Sequence, residues 1–348
     1  MNTLIAARAR VLAAAVALAA LAAACGGSSA KNQAQSANAP SATVSASRGK
    51  GTPAVATAAL QPVIASSELV VGPNRFTLGV LDHGGTPIPD AKVHLKFFQL
   101  SAAPSGSGAV QGTLRFEADT TFRSPGREAG LPNIETVVRP DGTKIFVQSG
   151  GDEVGVYQTQ VTFDKAGDWG VQAEVVGKDT AHSGTVSTPF KVLAQGIAPM
   201  VGSPAPRSKN LTVNDVTDLS IIDTSARPTA DMHTKTIADA IAAGQPTLVL
   251  FATPGYCSSR LCGPELELAR KLEPKYQGKV EFIHIEIYKD PGTRTVMPTV
   301  AEWHLESEPW FFVIDSKGVI SARFEGPTTL EELDAALQQV TSGQASVD

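Results

Sequence analysis

Charge is scarce in this chain: 18% of its 348 residues are Asp, Glu, Lys or Arg, and the formal net charge is -5. No basic stripe is present, so there is no footprint for a phosphate backbone, and nucleic acid is excluded as a partner. Long apolar runs are scarce too. The one such run lies near the start, within Met1 to Ala24, and nothing after it is long enough to span a bilayer, so the remainder is expected to be soluble. Histidine is sparse, with six residues; His83, His94 and His182 show no metal-ligand spacing such as two histidines four apart on a helix, and His284 on its strand is read as structural. His83, His94 and His182 are accordingly read as solvated or satisfied side chains. Cysteine is rarest of all, with three residues at positions 25, 257 and 262.

What is present is length enough for two domains of roughly 100 to 200 residues each. Arg8 and Arg10 followed by a run of Val, Leu and Ala give residues 1–24 the basic and apolar regions of a secretory signal. Residues 25–61 are Ala, Ser, Gln, Gly, Thr and Pro with few large apolar side chains; they cannot bury enough surface to offset their ordering entropy and read as a flexible tether. From 62 to 195 short runs of period two are punctuated by Gly, Pro, Asn and Asp, the pattern of a β-sandwich. Strands are expected at Glu68–Val71, Arg75–Leu81, Ala91–Leu100, Gly112–Ala118, Thr143–Gln148, Gly155–Phe163, Trp169–Val176 and Val186–Leu193. The stretch Thr120 to Glu135 fits no strand and is expected to be an insertion. Residues 196–210 carry Pro and Gly and predict a hinge-like linker.

Residues 211–342 change period again. Thr234 to Ala243 predicts a helix ended by Gly244, and Pro246 to Phe251 is a continuous apolar run, as a strand buried on both faces requires. Leu266, Ala269, Leu272 and Tyr276 recur at helical spacing, with Glu265, Glu267, Arg270 and Lys271 between them as the polar face. Val280–Tyr288 reads as a strand, Val296–Trp303 as a short helix, Pro309–Asp315 and Val319–Glu325 as a hairpin, and a last helix follows a capping box at Thr328 or Thr329. Between the buried strand and the amphipathic helix stand Cys257 and Cys262, where amide hydrogens and the helix dipole stabilise thiolate.

Resemblances to known families attach to these residues. Leu21-Ala-Ala-Ala-Cys25 followed by Gly26-Gly27-Ser28-Ser29 resembles a bacterial lipoprotein signal, which implies lipidation of Cys25 and anchoring at the outer face of the cytoplasmic membrane. With Cys25 so used, Cys257 and Cys262 remain alone together in an oxidising setting and read as a disulfide or dithiol. Asp164-Lys-Ala-Gly-Asp-Trp169 resembles the turn and buried tryptophan of immunoglobulin-like exported domains. Phe251-Ala252-Thr253 with Tyr256-Cys257, and Glu308-Pro309-Trp310, resemble the active-site approach and the cis-proline segment of thioredoxin-like proteins of the membrane-tethered TlpA/ResA kind.

The expected fold is therefore multidomain, an all-β immunoglobulin-like sandwich followed by an α/β thioredoxin-like domain. That likeness implies thiol-disulfide exchange with exported protein thiols or disulfides, with Cys257 attacking, Cys262 resolving, and Tyr256, Glu308 and cis Pro309 meeting the substrate. The family's two-residue spacing is replaced here by four residues, and five helical steps turn the chain by about 140°, so both sulfurs cannot share one face of a regular helix. A loop at 258–261 with a helix beginning near Pro264 is the expected solution. The central strand Thr247–Phe251 also carries no carboxylate for a proton relay. Two other readings stay open: a structural disulfide in a non-catalytic binding protein, and similarity to Sco-type copper chaperones, with Cys257, Cys262 and His304 as soft-metal ligands. No other cofactor is expected.

Overall fold

In the computed structural model, residues 60–101, 112–138, 144–148, 153–257 and 259–342 are described. The predicted signal, Cys25 and nearly all of the tether lie outside them. No helix among the described residues is long and apolar enough to cross a membrane.

The first half is built from β1 (Gln61–Ile64), β2 (Leu69–Val70), β3 (Gly72–Leu81), β4 (Lys92–Leu100), β5 (Gly112–Asp119), β6 (Thr121–Arg123), α1 (Pro125–Ala129), β7 (Ile134–Val138), β8 (Lys144–Gln148), β9 (Val156–Phe163), β10 (Gly167–Val176) and β11 (Gly184–Leu193). They form two sheets, β1-β3-β9-β6 and β2-β11-β10-β4-β5, with β7 and β8 as a separate ribbon. Alternation places Phe76, Leu78 and Val80 of one sheet and Leu95, Phe97, Trp169 and Val171 of the other in one shared core. Each fully buried side chain such as Phe97 or Phe163 contributes roughly 1.5–3 kcal/mol.

The second half comprises α2 (Ile237–Ala242), β12 (Thr247–Ala252), α3 (Cys262–Leu272), β13 (Glu281–Glu286), β14 (Tyr288–Asp290), β15 (Thr295–Val296), α4 (Pro298–Glu302), β16 (Trp310–Ile314), β17 (Ile320–Glu325) and α5 (Leu330–Thr341). The four-stranded sheet runs β13-β12-β16-β17. β12 is parallel to β13 and antiparallel to β16, which pairs antiparallel with β17. This is the thioredoxin-like strand order. All six residues of β12 are buried. Leu248, Leu250 and Ala252 face a cluster with α3 and α5, while Val249 and Phe251 face another with Ile237, Trp303 and Phe312. The separation of the apolar run into two faces follows from the two-residue strand period.

Three expectations are corrected. Thr120–Glu135 is not a strand-free insertion: it holds β6, α1 and the start of β7. Ser124 accepts from the Arg127 amide at 3.4 Å, Pro125 occupies an early helical position, and Gly130 closes the helix at φ 68, so short polar and special residues make a capped helix. Ala129 of α1 is buried in the cluster under α3, and Lys271 donates to Glu128 O at 3.1 Å. The expected hinge is also tied down. Gly202 donates to Ile320 O at 2.8 Å and Ala205 to Gly318 O at 2.9 Å, adding the linker to the edge of the β16–β17 hairpin. The Glu68 carboxylate accepts from the Ile197 and Ala198 amides at 2.7 and 2.9 Å. Finally, the strand expected over Val280–Tyr288 is interrupted at Ile287, where the chain turns into the small β14–β15 pair.

Candidate active site

β12 ends at Ala252, and the chain turns through Thr253 to Tyr256, with Tyr256 N–H donating to Thr253 O at 3.1 Å. Gly255 donates to Thr224 Oγ1 at 2.9 Å. The approach is close: a Cβ at Gly255 would meet the Thr224 carbonyl oxygen at 2.8 Å. A second turn follows, in which Arg260 N–H donates to Cys257 O at 3.2 Å and Arg260 takes φ 61. α3 then starts at Cys262. Cys257 thus lies on a loop and Cys262 in the first turn of the helix, as the rotation over five residues demands.

Leu261, which precedes the helix, supplies no side-chain cap. The Cys257 sulfur takes that place, accepting the Cys262 amide at 3.3 Å and facing Ser259 Oγ at 3.2 Å. A thiolate there meets an otherwise free amide and the positive end of the helix. Contact with the Cys262 thiol, outweighing burial, and then with Ser259 and the Cys262 amide lowers the Cys257 thiol to about 6. Cys262 is fully buried. Burial, then the Cys257 thiolate, push its thiol well above the ordinary value, and the charge of Glu308 acts in the same direction. Both sulfurs are free thiols in this structure. The pair is asymmetric: Cys257 is half-buried and its thiol is lowered toward neutrality, while Cys262 is buried and protonated.

The remaining expected residues divide. The Glu308–Pro309 bond is cis, and Glu308, whose own carboxyl is raised by burial, is close enough to Cys262 for its charge to be felt there. Tyr256 is 50% exposed beside Cys257. Arg260 lines a cavity of about 520 Å³ against Asp82, Ile88, Lys178 and His182 of the first half and Ile134 of the β7–β8 ribbon. His304 does not join the cysteines; it lines a different pocket with Glu68, Lys191 and Trp310. Among the described residues, the set of side chains placed to share a cation contains neither cysteine nor His304.

Three buried carboxylates escaped the sequence reading, Asp223, Glu265 and Glu286, and the last two flank the cysteine segment. Glu265, assigned there to the polar face of α3, is wholly buried, receives the Thr328 amide at 2.7 Å and also accepts from the Thr328 hydroxyl. Burial pushes its carboxyl up to about 8 despite those two donors. Glu286, at the end of β13 beside Ala252, accepts from the amide and hydroxyl of Thr224 at 3.0 and 2.7 Å, and burial raises it as well. Thr224 therefore links the cysteine turn to a buried acid. The sequence signal for Glu265 was its position in the first turn of a helix whose other face was apolar, and its partner lies 63 residues away.

No family model and no curated protein matches the sequence. Among solved structures, a thioredoxin-family thiol:disulfide interchange protein from Chlorobium tepidum TLS is 17% identical, covering 41% of this chain and 99% of that one at a TM-score of 0.30. A putative thiol:disulfide interchange protein DsbE from Chlorobium tepidum is 14% identical over 40% of this chain and 99% of that one, also at 0.30. StoA from Bacillus subtilis is 20% identical over 27% of this chain and 82% of that one at 0.22. Scores this low carry no weight for the fold, which rests on the strand order of the C-terminal sheet.

Proposed function

We propose that this chain is an extracytoplasmic thiol-disulfide oxidoreductase, anchored through a lipid on Cys25, that acts on exported protein thiols or disulfides. The observation that carries the reading is the asymmetry of the pair: Cys257 is lowered to about 6 at the start of α3, while Cys262 is buried and held protonated behind it. In the reducing direction the Cys257 thiolate attacks a substrate disulfide, forming a mixed disulfide and releasing one substrate thiolate, which takes up a proton. Cys262 then loses its proton and attacks the Cys257 sulfur, releasing the second substrate thiol and leaving a Cys257–Cys262 disulfide. Forming the mixed disulfide removes the negative charge on Cys257 that helps to hold Cys262 protonated, so the resolving step becomes easier once it is needed. Tyr256, Glu308 and Pro309 would border the substrate. The immunoglobulin-like sandwich, through α1 and the cavity beside Arg260, would give that substrate a second surface.

The test is capture. Cys262→Ala leaves Cys257 without a resolving thiol, so exported proteins should accumulate as disulfide adducts that a reductant releases. Adducts absent from this variant, together with a Cys257 alkylation rate that follows an ordinary thiol, would overturn the reading.

A further inference from the structure

Behind the cysteine turn lies a second group of chemistry-bearing side chains that thiol exchange does not use. Asp223, His233 and His284 are each 0–1% exposed. One ligand atom from each lies within 4.8 Å of the other two. His233 Nε2 faces Asp223 Oδ2 at 3.8 Å, and the two imidazoles pack edge to face with centroids 5.1 Å apart. His284 Nε2 donates to the Ala252 carbonyl at 3.1 Å, which fixes the tautomer and leaves Nδ1 as a bare lone pair. That Nδ1 is buried without a partner, and so is Nδ1 of His233. An imidazole oriented through one nitrogen by a backbone carbonyl, with the other nitrogen free, is the posture of a metal ligand.

We propose that Asp223, His233 and His284 form a binding site for a borderline first-row divalent cation, zinc(II) being the natural occupant of two imidazoles and one carboxylate. A cleft of about 470 Å³, lined by Ile222, His284, Glu286 and Met297, reaches His284 and supplies a way in. Arg270 is the competitor. Its guanidinium donates to Asp223 Oδ2 at 3.1 Å and balances that carboxylate in the metal-free protein. It also donates to Glu267 at 2.8 Å, to which it can withdraw as the cation takes its place. The site touches both sides of the cysteine turn: His284 holds Ala252 before it, and Thr224, next to Asp223, holds Gly255 within it.

The test is independent of the thiol reading, because it uses the full chain with Cys25, Cys257 and Cys262 replaced by Ser. Zinc(II) titration against a chromophoric chelator is expected to give one ion per chain. His233→Ala and His284→Ala should each weaken binding by roughly tenfold or more, since losing even an outer-shell partner costs about that much. Arg270→Gln should tighten it and enlarge the zinc-induced rise in thermal midpoint, an effect in the opposite direction that a merely structural cluster would not show. No bound zinc, or binding unchanged in both histidine variants, overturns the proposal. If a histidine variant does not fold, Asp223→Asn and Arg270→Gln decide: unchanged affinity in both overturns it as well.

Discussion

The first amide of α3, that of Cys262, points at the Cys257 sulfur from 3.3 Å, so the sulfur caps the helix that carries its own partner. A thiol that serves as a helix cap is stabilised as thiolate wherever the helix holds its place. The reactivity of Cys257 is thus expected to depend on the loop that lets it reach the helix start.

The thiol titration tests this. Alkylation of Cys257 followed against pH should show a midpoint near 6, its lowered value. Cys262→Ala removes the largest contribution, the neighbouring thiol, but keeps the backbone amide; the midpoint should move up by at least about one unit without reaching the unperturbed thiol value of about 8.5. Ser259→Ala should move it up by less. A midpoint at the ordinary value in the parent protein would remove the electrostatic basis of the mechanism.

Gly255→Ala tests the loop. The added methyl would meet the Thr224 carbonyl oxygen at 2.8 Å, and backbone cannot yield as a flexible side chain does. Overpacking of this kind costs about 1–3 kcal/mol. The variant should unfold at lower denaturant and titrate Cys257 at higher pH, because the turn that delivers its sulfur to α3 is displaced. Unchanged stability and an unchanged thiol midpoint would show that the turn does not position the sulfur.

Local periodicity explains which of these features the sequence displayed. β12 was legible because six consecutive buried residues leave only one reading, and its split into two core faces follows from the strand period. The loop at the cysteines was legible because helix geometry forbids five residues from aligning two sulfurs; the helix begins at Cys262, two residues before the proline expected to start it. Glu265 was not legible. Charged, and grouped with Glu267, Arg270 and Lys271 between the apolar positions of the helix, it looked like polar face, and its burial depends on Thr328, which only the tertiary fold brings near. The docking of α1 beneath α3 is non-local in the same sense. Asp223 and His233 lie in a segment with no helical or strand period, so nothing local marked them as neighbours of His284.

Glu265 gives a pH test with a definite sign. Its carboxyl titrates near 4.3 when unfolded and at about 8 when folded. Between those values the folded state holds a proton that the unfolded state lacks, so the contribution is fully present below the unfolded value and is lost as pH rises through about 8. Glu265→Gln cannot ionise and should flatten this part of the stability profile, by an amount on the order of a few kcal/mol across the window. Denaturant midpoints from pH 4.5 upward check it, and parallel profiles for the two proteins would show that Glu265 titrates normally.

Arg75 of β3 and Glu332 of α5 join the sandwich to the C-terminal sheet at 2.8 Å, with side chains 12% and 19% exposed. Arg75 also donates to the carbonyls of Glu325, at 3.1 Å, and Pro327, while Gln158 donates to Glu332 at 2.7 Å. Burial would raise the Glu332 carboxyl, but Arg75 holds it below the usual range, so what the pair contributes is present above the ordinary carboxyl value and is lost as pH falls. Arg75→Ala strands a mostly buried carboxylate and should destabilise by about 3 kcal/mol at neutral pH. Arg75→Met with Glu332→Gln removes both charges and keeps an acceptor for the capping-box bond with Thr329, so it should recover most of that loss. Because this contact bridges the two halves, the parent should unfold in denaturant in a single transition, and Arg75→Ala should separate it into two that tryptophan fluorescence and Cys262 accessibility report differently. Coincident transitions in the variant, at the parent midpoint, would show that α1 and the linker hold the halves together without the ion pair.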